Sequence, residues 1–172
     1  MKHTLIVVMQ DHPGVLNRVV SLFRRRNFNI ESLIVGHGET PGVSRMTLVV
    51  DGSEVEQVEK QLYRLIEVLK VTDVTQEPVI EREVALVKVH APSAVRAELI
   101  ALAGVYNARV VDVSATSMIL EVTAFPAKVE HFVEIMRPYG IQEMMRTGRL
   151  AMARGSRAHR EPLEASSLAI PA

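Results

Sequence analysis

One order of hydrophobic patterns occurs twice along this chain of 172 residues, and that repeat limits the fold more than any other feature. In each half a buried strand comes first, followed by an amphipathic helix, two strands, a second helix and a last strand. The copies lie about 75 residues apart, a period that indicates two small modules. Two βαβ units with antiparallel pairing form a four-stranded sheet with both helices on one face. We therefore predict an α+β protein of two βαββαβ modules.

The first half, residues 1–76, contains four β-branched apolar runs that indicate strands. Between them the apolar residues follow helical spacing twice, and the second helix begins with Ser53 and Glu56, a capping box. Its apolar stripe is predicted to include Leu65 and Ile66, besides Val55, Val58 and Leu62. The predicted strands are 4–9, 28–37, Val43–Asp51 and 70–75, and the first helix is 14–26.

The second half repeats this order after a short segment, 77–82, that we interpret as a linker. Gly104 is expected to end the third helix and Gly140 the fourth, which begins at Pro126. From residue 154 onward Gly, Ser, Pro and Arg follow no period, which predicts a disordered tail, 154–172. The second module therefore spans 83–153, with strands 83–90, 108–113, 118–123 and Ile141–Arg146, and a helix over 93–103.

The strands of the first module carry apolar residues through the centre of the sheet. If both faces are apolar and the helices cover only one, the other face needs a partner, either the second module or a second copy of the chain. We expect a homodimer on this basis. The residues on which this expectation depends are Val7, Ile30, Ile34, Met46 and Leu48.

Composition excludes several classes of protein. The 20 basic and 20 acidic residues balance, so the chain offers no general field for nucleic acid or an anionic membrane. The central strands also lack the aromatics on which RNA-recognition domains stack bases. Cysteine is absent, which excludes disulfides, thiolate metal sites and a Cys nucleophile. No apolar run approaches the ~20 residues that span a bilayer, and we expect a soluble cytoplasmic protein.

No pattern of catalytic or metal-binding residues is visible. The six histidines are scattered without an i, i+4 pair, and neither a P-loop nor a GxGxxG sequence occurs. Glu54, Glu56 and Glu59 are typical of a solvated helix face, and the cluster Arg24–Arg26 suits a helix C-terminus. The sequence therefore predicts neither catalytic residues nor a metal site.

The stretch DHPGV, residues 11–15, is the best candidate for a binding site. Asp11 could cap the first helix, yet Gly14 costs ~1 kcal/mol relative to Ala inside a helix. A helix N-terminus without side chains presents free N–H groups and a positive dipole to a carboxylate. Gly14 allows a ligand to approach the backbone, and Asp11 could accept a hydrogen bond from an ammonium. Together these groups fit an α-amino acid, although a plain capped turn fits the residues equally well.

At these residues the sequence resembles a known family. The segments DHPGVLNRVVSLFRRRNFNIESLIVG, TPGVSRMTLVV, EQVEKQLYRLIEVLKV and EREVALVKV, with VVDVS and RTGRLAM further on, are similar to the regulatory (small) subunit of acetolactate synthase. The resemblance extends over residues 1–152. It implies two ferredoxin-like modules, of which the first is an ACT domain for effector binding and dimerisation.

The resemblance also implies a function. Such subunits are not enzymes: they activate the large catalytic subunit of acetolactate synthase and confer feedback inhibition by valine, or by leucine or isoleucine, in branched-chain amino-acid biosynthesis. Thiamine diphosphate, Mg and FAD are expected on the catalytic partner and no cofactor on this chain. An ACT-type amino-acid sensor that regulates a different enzyme is the alternative, and a small enzyme on a ferredoxin-like scaffold ranks last.

In this family the effector lies between two ACT domains. One chain contributes the loop between the first strand and the first helix, and the other contributes the start of the second strand. Asp11 and Ile34 depart from the family pattern, which often has Asn and Thr there. The implied effector-binding residues are Asp11, His12, Pro13, Gly14, Val15 and Leu16 of one chain and Asn29 and Ile30 of the other.

Overall fold

The computed structural model describes residues 2–51 and 55–155, and within them the predicted order of elements is confirmed in both modules. The first module has an antiparallel sheet of four strands in the order β2-β3-β1-β4. Ser53 of the predicted capping box and residues 156–172 of the predicted tail lie outside the described residues. The elements are β1 (Lys2–Gln10), α1 (Val15–Arg26), β2 (Ile30–His37), β3 (Val43–Asp51), α2 (Val55–Leu62) and β4 (Val68–Asp73).

Mostly aliphatic side chains fill the space between this sheet and its two helices, because the chain has only four Phe, three Tyr and no Trp. Helix α1 turns Val15, Val19 and Phe23 inward, onto strand residues such as Leu5 and Leu48. The ring of Phe23 meets Phe28 edge to face, at 5.8 Å between centroids. Such a pair contributes ~1 kcal/mol beyond the apolar area that it buries.

The predicted stripe of α2 is wrong at its end, because the helix stops at Leu62. The N–H groups of Arg64 and Leu65 donate to carbonyls three residues earlier, which is the tighter 3₁₀ spacing. This turn leaves Leu65 partly packed on the core and directs Ile66 into solvent, where it is 86% exposed. Helical spacing in a sequence cannot distinguish a last α-turn from such a 3₁₀ exit.

The second module repeats the architecture with a sheet in the order β6-β7-β5-β8. The helix predicted to end before Gly104 continues to Tyr106, and Asn107 after it takes the left-handed conformation with φ 55°. Asn27, which follows α1 in the first module, does the same with φ 57°. Extending the helix buries Tyr106 in the core. The elements are β5 (Val79–His90), a 3₁₀ turn (Ser93–Val95), α3 (Arg96–Tyr106), β6 (Arg109–Val113), β7 (Ser117–Ala124), α4 (Pro126–Met136), a 3₁₀ turn (Arg137–Tyr139) and β8 (Ile141–Arg146).

Sequence reasoning missed a ninth strand, β9 (Leu150–Ala153), which pairs antiparallel with the first third of β5. Val79 lies opposite Ala153 and Arg82 opposite Leu150, so most of the segment interpreted as a linker is a strand. We call these two paired stretches, 79–82 and 150–153, the ribbon. Four-residue strands carry too short an alternation to predict without their partners.

The ribbon covers part of the first sheet on the face opposite the helices. Ala151 and Val79 pack there on Ile6 of β1 and on Val74. The strand registers correct our assignment of faces, because Val7, Ile30, Met46 and Leu48 all lie on the helix side. Of the five residues that predicted an uncovered apolar face, Ile34 alone lies on it. The second module therefore supplies part of the expected cover.

A buried carboxylate joins β5 to β8 in the second module. Glu83 is 4% exposed and accepts two hydrogen bonds from Arg146, at 2.7 Å from Nε and 3.2 Å from a terminal nitrogen. Arg146 also donates to Glu130 of α4 at 2.7 Å. Hydrogen bonding to Glu83 raises the pKa of Arg146 despite its partial burial, and Glu130 adds to that effect. The guanidinium thus stays charged and balances the buried carboxylate.

Arg146→Ala should lower the free energy of unfolding by about 3 kcal/mol, because Glu83 would stay buried without its cation. Arg137→Ala is the matched control: it removes an exposed pair with Glu134, at 2.8 Å, and should cost less than ~1 kcal/mol. Urea unfolding of the two variants measures both values. Equal losses would contradict a structural role for the Glu83–Arg146 pair.

Candidate functional site

The loop between β1 and α1 leaves the N-terminus of the helix without a side-chain cap. The N-cap residue is Gly14, with φ +92° and ψ −14°, and no acidic residue occupies the first helical turn. Of the two interpretations of this stretch, Asp11 as the helix cap is therefore wrong. A Cβ built on Gly14 would have no neighbour within 4 Å, so glycine is required by the left-handed backbone rather than by lack of space.

Asp11 instead ties the loop to the β2–β3 hairpin. Its backbone N–H donates to the carbonyl of Gly42 at 2.8 Å, and its Oδ2 lies 2.9 Å from Nδ1 of His37. The order β2-β3-β1 explains this contact, since the end of β1 adjoins the turn between β2 and β3. His37 was not predicted as a site residue, although its place within GHGETPG, residues 36–42 between β2 and β3, is a usable signal.

Three further predicted residues of the loop differ in exposure. His12 is exposed, and its Nε2 lies 3.2 Å from Oε1 of Gln10. Val15 turns into the core at 3% exposure, so only its backbone faces the loop. Leu16 is 41% exposed and directs an aliphatic side chain to solvent beside the helix N-terminus. The Val15 N–H donates to the carbonyl of His12 at 3.4 Å, so the first turn of α1 offers its next amides and one apolar side chain.

A second set of contacts that fixes the loop, also missed from the sequence, lies beneath it. Glu67 precedes β4, is 3% exposed, and pairs with the guanidinium of Arg18 on α1. The Glu67 carbonyl also accepts the N–H of Gln10 at 2.9 Å. These contacts fix both the end of β1 and the first turns of α1, and so hold the loop between them.

Asn29 and Ile30 lie far from this loop within one chain. They stand at the start of β2, beyond the C-terminus of α1, and that helix of 12 residues is about 18 Å long. The end of β2, in contrast, touches the loop through His37. The two groups of predicted site residues are therefore not brought together by a single chain.

Strand β2 is an edge strand of the first sheet among the described residues. Gly38 donates to the carbonyl of Val43 at 2.8 Å, and hydrogen-bonded and non-hydrogen-bonded positions alternate along an antiparallel pair. By that alternation the backbone groups of Leu33, Val35 and His37 point away from β3. This row of free donors and acceptors can pair with another strand.

A cleft of about 690 Å³ lies between the modules and not at this loop. Its cations are already paired: Lys2 with Glu31, Arg146 with Glu83 and Glu130, and Arg149 with Glu81. Within 2–51 and 55–155, no group of three or more His, Asp or Glu side chains could hold a metal ion. No helix in those ranges is long and apolar enough to cross a membrane. The β1–α1 loop remains the stronger candidate for a ligand site.

Comparison with known proteins agrees with this arrangement. A family model described as the AHAS small subunit-like ACT domain matches residues 5–70, and one described as the small subunit of acetolactate synthase matches 82–155. A probable acetolactate synthase small subunit of Archaeoglobus fulgidus is 53% identical over 159 residues, covering 91% of this chain and 99% of that protein. The acetolactate synthase small subunit of Bacillus subtilis is 46% identical, covering 91% and 92%.

A solved structure shows the same architecture. The crystal structure of the acetolactate synthase small subunit from Thermotoga maritima superimposes with a TM-score of 0.82 at 38% identity, covering 90% of this chain and 98% of that one. The ACT module, the second ferredoxin-like module and near-complete coverage in both directions all lead to one assignment. This chain belongs to the family of acetolactate synthase small subunits.

Proposed function

We propose that this chain is the non-catalytic regulatory subunit of an acetolactate synthase. It binds and activates the large, thiamine-diphosphate-dependent catalytic subunit, and it confers feedback inhibition by valine or a related branched-chain amino acid. Residues 1–76 bind the effector and dimerise, and residues 83–153 form the second domain. The observation that carries the proposal is the uncapped N-terminus of α1, which Gly14 keeps open with φ +92°.

The effector site forms between two copies of the chain. If β2 pairs with its copy around a two-fold axis at Ile34, the outward-facing Leu33 of one chain pairs with Val35 of the other, and the start of the partner's β2 comes opposite His37. His37 holds Asp11, so the partner's Asn29 and Ile30 then reach the β1–α1 loop. This pairing would also satisfy the backbone groups on the free edge of β2. It supports the predicted set of site residues, which a single chain leaves divided.

The chemistry of this site suits an aliphatic α-amino acid. The amides of the first turn of α1 and its positive dipole favour the effector's carboxylate. Asp11 and the partner's Asn29 provide oxygen acceptors for the ammonium, and Leu16 and the partner's Ile30 provide apolar contact for the side chain. Because His37 lies 2.9 Å from Asp11, part of the acceptor capacity of that carboxylate is already used.

The purified chain should be a dimer in the absence of the catalytic subunit, because the effector site needs two copies of β2. Sedimentation at micromolar concentration should give twice the chain mass of 19.1 kDa. The interface should bury ~1,200 Å² or more, the lower end for stable interfaces. A monomer at that concentration would contradict the inter-chain site.

Gly14→Asp should abolish feedback inhibition while the variant still activates the catalytic subunit. Its carboxylate would lie roughly 4–5 Å from that of the effector, which at an effective dielectric of ~20 costs about 3–4 kcal/mol. That loss corresponds to two to three powers of ten in affinity. Valine titration of the reconstituted holoenzyme measures the effect.

Gly14→Ala is the matched control for that variant. A side chain at φ +92° costs ~1–2 kcal/mol in either substitution, whereas Ala adds no charge and meets no neighbour. Gly14→Ala should therefore keep much of the inhibition that Gly14→Asp loses. Inhibition of Gly14→Asp at unchanged valine concentrations would place the effector elsewhere.

A further inference from the structure

The segment RTGRLAM, residues 146–152, has no part in the proposed effector site, yet it lies where the two modules meet. We call its central residues, Thr147, Gly148 and Arg149, the seam turn. Thr147 fixes the turn to β5, since its N–H donates to the carbonyl of Val84 at 3.0 Å and its Oγ1 accepts from the N–H of Val84 at 3.1 Å. The seam turn therefore moves with the second module.

The other side of the seam turn rests on β2 of the first module. Arg149 donates its backbone N–H to Oγ of Ser32 at 3.1 Å. Gly148 has φ +85°, and a Cβ built there would collide with that same Oγ and lie 3.6 Å from Cγ1 of Ile34. Both the conformation and the close approach require glycine at this position. Ser32 is thus a point at which the edge strand touches the second module.

The Arg149 side chain adds a second bridge between the modules. One terminal nitrogen donates to Oγ1 of Thr4 on β1 at 3.0 Å and to Oε1 of Glu81 on the ribbon at 3.1 Å. The side chain is 25% exposed, so these hydrogen bonds are partly shielded from water. Arg45 of β3 then donates to the carbonyl of Ala151 at 3.3 Å. Together with the contact at Ser32, these hydrogen bonds join β1, β2 and β3 of the first sheet to the seam turn and the ribbon.

Ser32 also lies close in sequence to Asn29 and Ile30, which are proposed to contact the effector. It follows Ile30 by two residues, and the β2–β3 register shifts between them. Such an irregularity is a place where a strand can bend without breaking the rest of its ladder. Ser32, paired with Val49, is the first residue after this irregularity, so it is the paired residue that a change in the position of Asn29 and Ile30 would reach first along the backbone.

We propose that the contact between Ser32 and the seam turn couples effector occupancy in the first module to the second module, and so to the catalytic subunit. The inference rests on the proposed function, because it needs an effector beside Asn29. Two groups of links meet at Ser32: the backbone bonds from Asn29 and Ile30, and the hydrogen bond and close approach of the seam turn. Loss of the second group should leave binding intact and weaken its effect on activity.

Ser32→Ala tests this proposal in the full chain reconstituted with the catalytic subunit. The substitution removes the acceptor for the Arg149 N–H and adds no bulk. Valine affinity of the free dimer should stay within about twofold of the wild type. The activity that remains at saturating valine should rise about fivefold, the effect of one lost hydrogen bond on an allosteric coupling. Activation without valine should be unchanged.

Ser21→Ala, the same chemical change on α1 away from the seam turn, should leave all three quantities as in the wild type. Unchanged inhibition of Ser32→Ala would overturn the coupling role. So would a tenfold loss of valine affinity, which would place Ser32 in the binding site, or a loss of activation, which would make the contact purely structural. A wild-type holoenzyme that no branched-chain amino acid inhibits would instead overturn the proposed function, and the coupling with it.

Discussion

The first sheet carries apolar residues such as Ile6 and Val49 on the face opposite its helices, and that face has to be covered. In the first module the ribbon from the second module covers Ile6 and reaches Val74. This cover is the physical reason that the two modules form one unit rather than two domains on a flexible linker. It also leaves β2 as a free edge, because the ribbon packs on the face of the sheet and not on its side.

The sequence predicted what depends on local periodicity. The two βαββαβ orders are confirmed, since they follow from apolar spacing alone. What it did not predict depends on tertiary partners. The ribbon is stable only because residues 79–82 and 150–153 find each other and Ile6. The exposed Ile66 and the late end of α3 at Asn107 likewise reflect packing that overrides local turn signals.

In the candidate site, too, local features could be predicted and tertiary contacts could not. Gly14 could be recognised because a glycine at a helix start is costly unless the backbone needs it, and its φ of +92° is that need. The capping role of Asp11 could not be resolved, since its contact with His37 exists only once β3 lies between β1 and β2. Asn29 and Ile30 entered the prediction through the family resemblance. The fold supports them only if a second copy continues the sheet at β2.

Binding of the effector between two chains can be tested with a mixed dimer. One chain carries Gly14→Asp and the other Asn29→Ala, each with its own tag, so that the heterodimer can be purified away from both homodimers. Each homodimer should fail to bind valine, because both of its sites carry a substitution. The heterodimer should bind one valine at wild-type affinity, because both substitutions fall in the same site and the other site is intact. A heterodimer that binds no valine would contradict the account, since a site within one chain would be damaged in both.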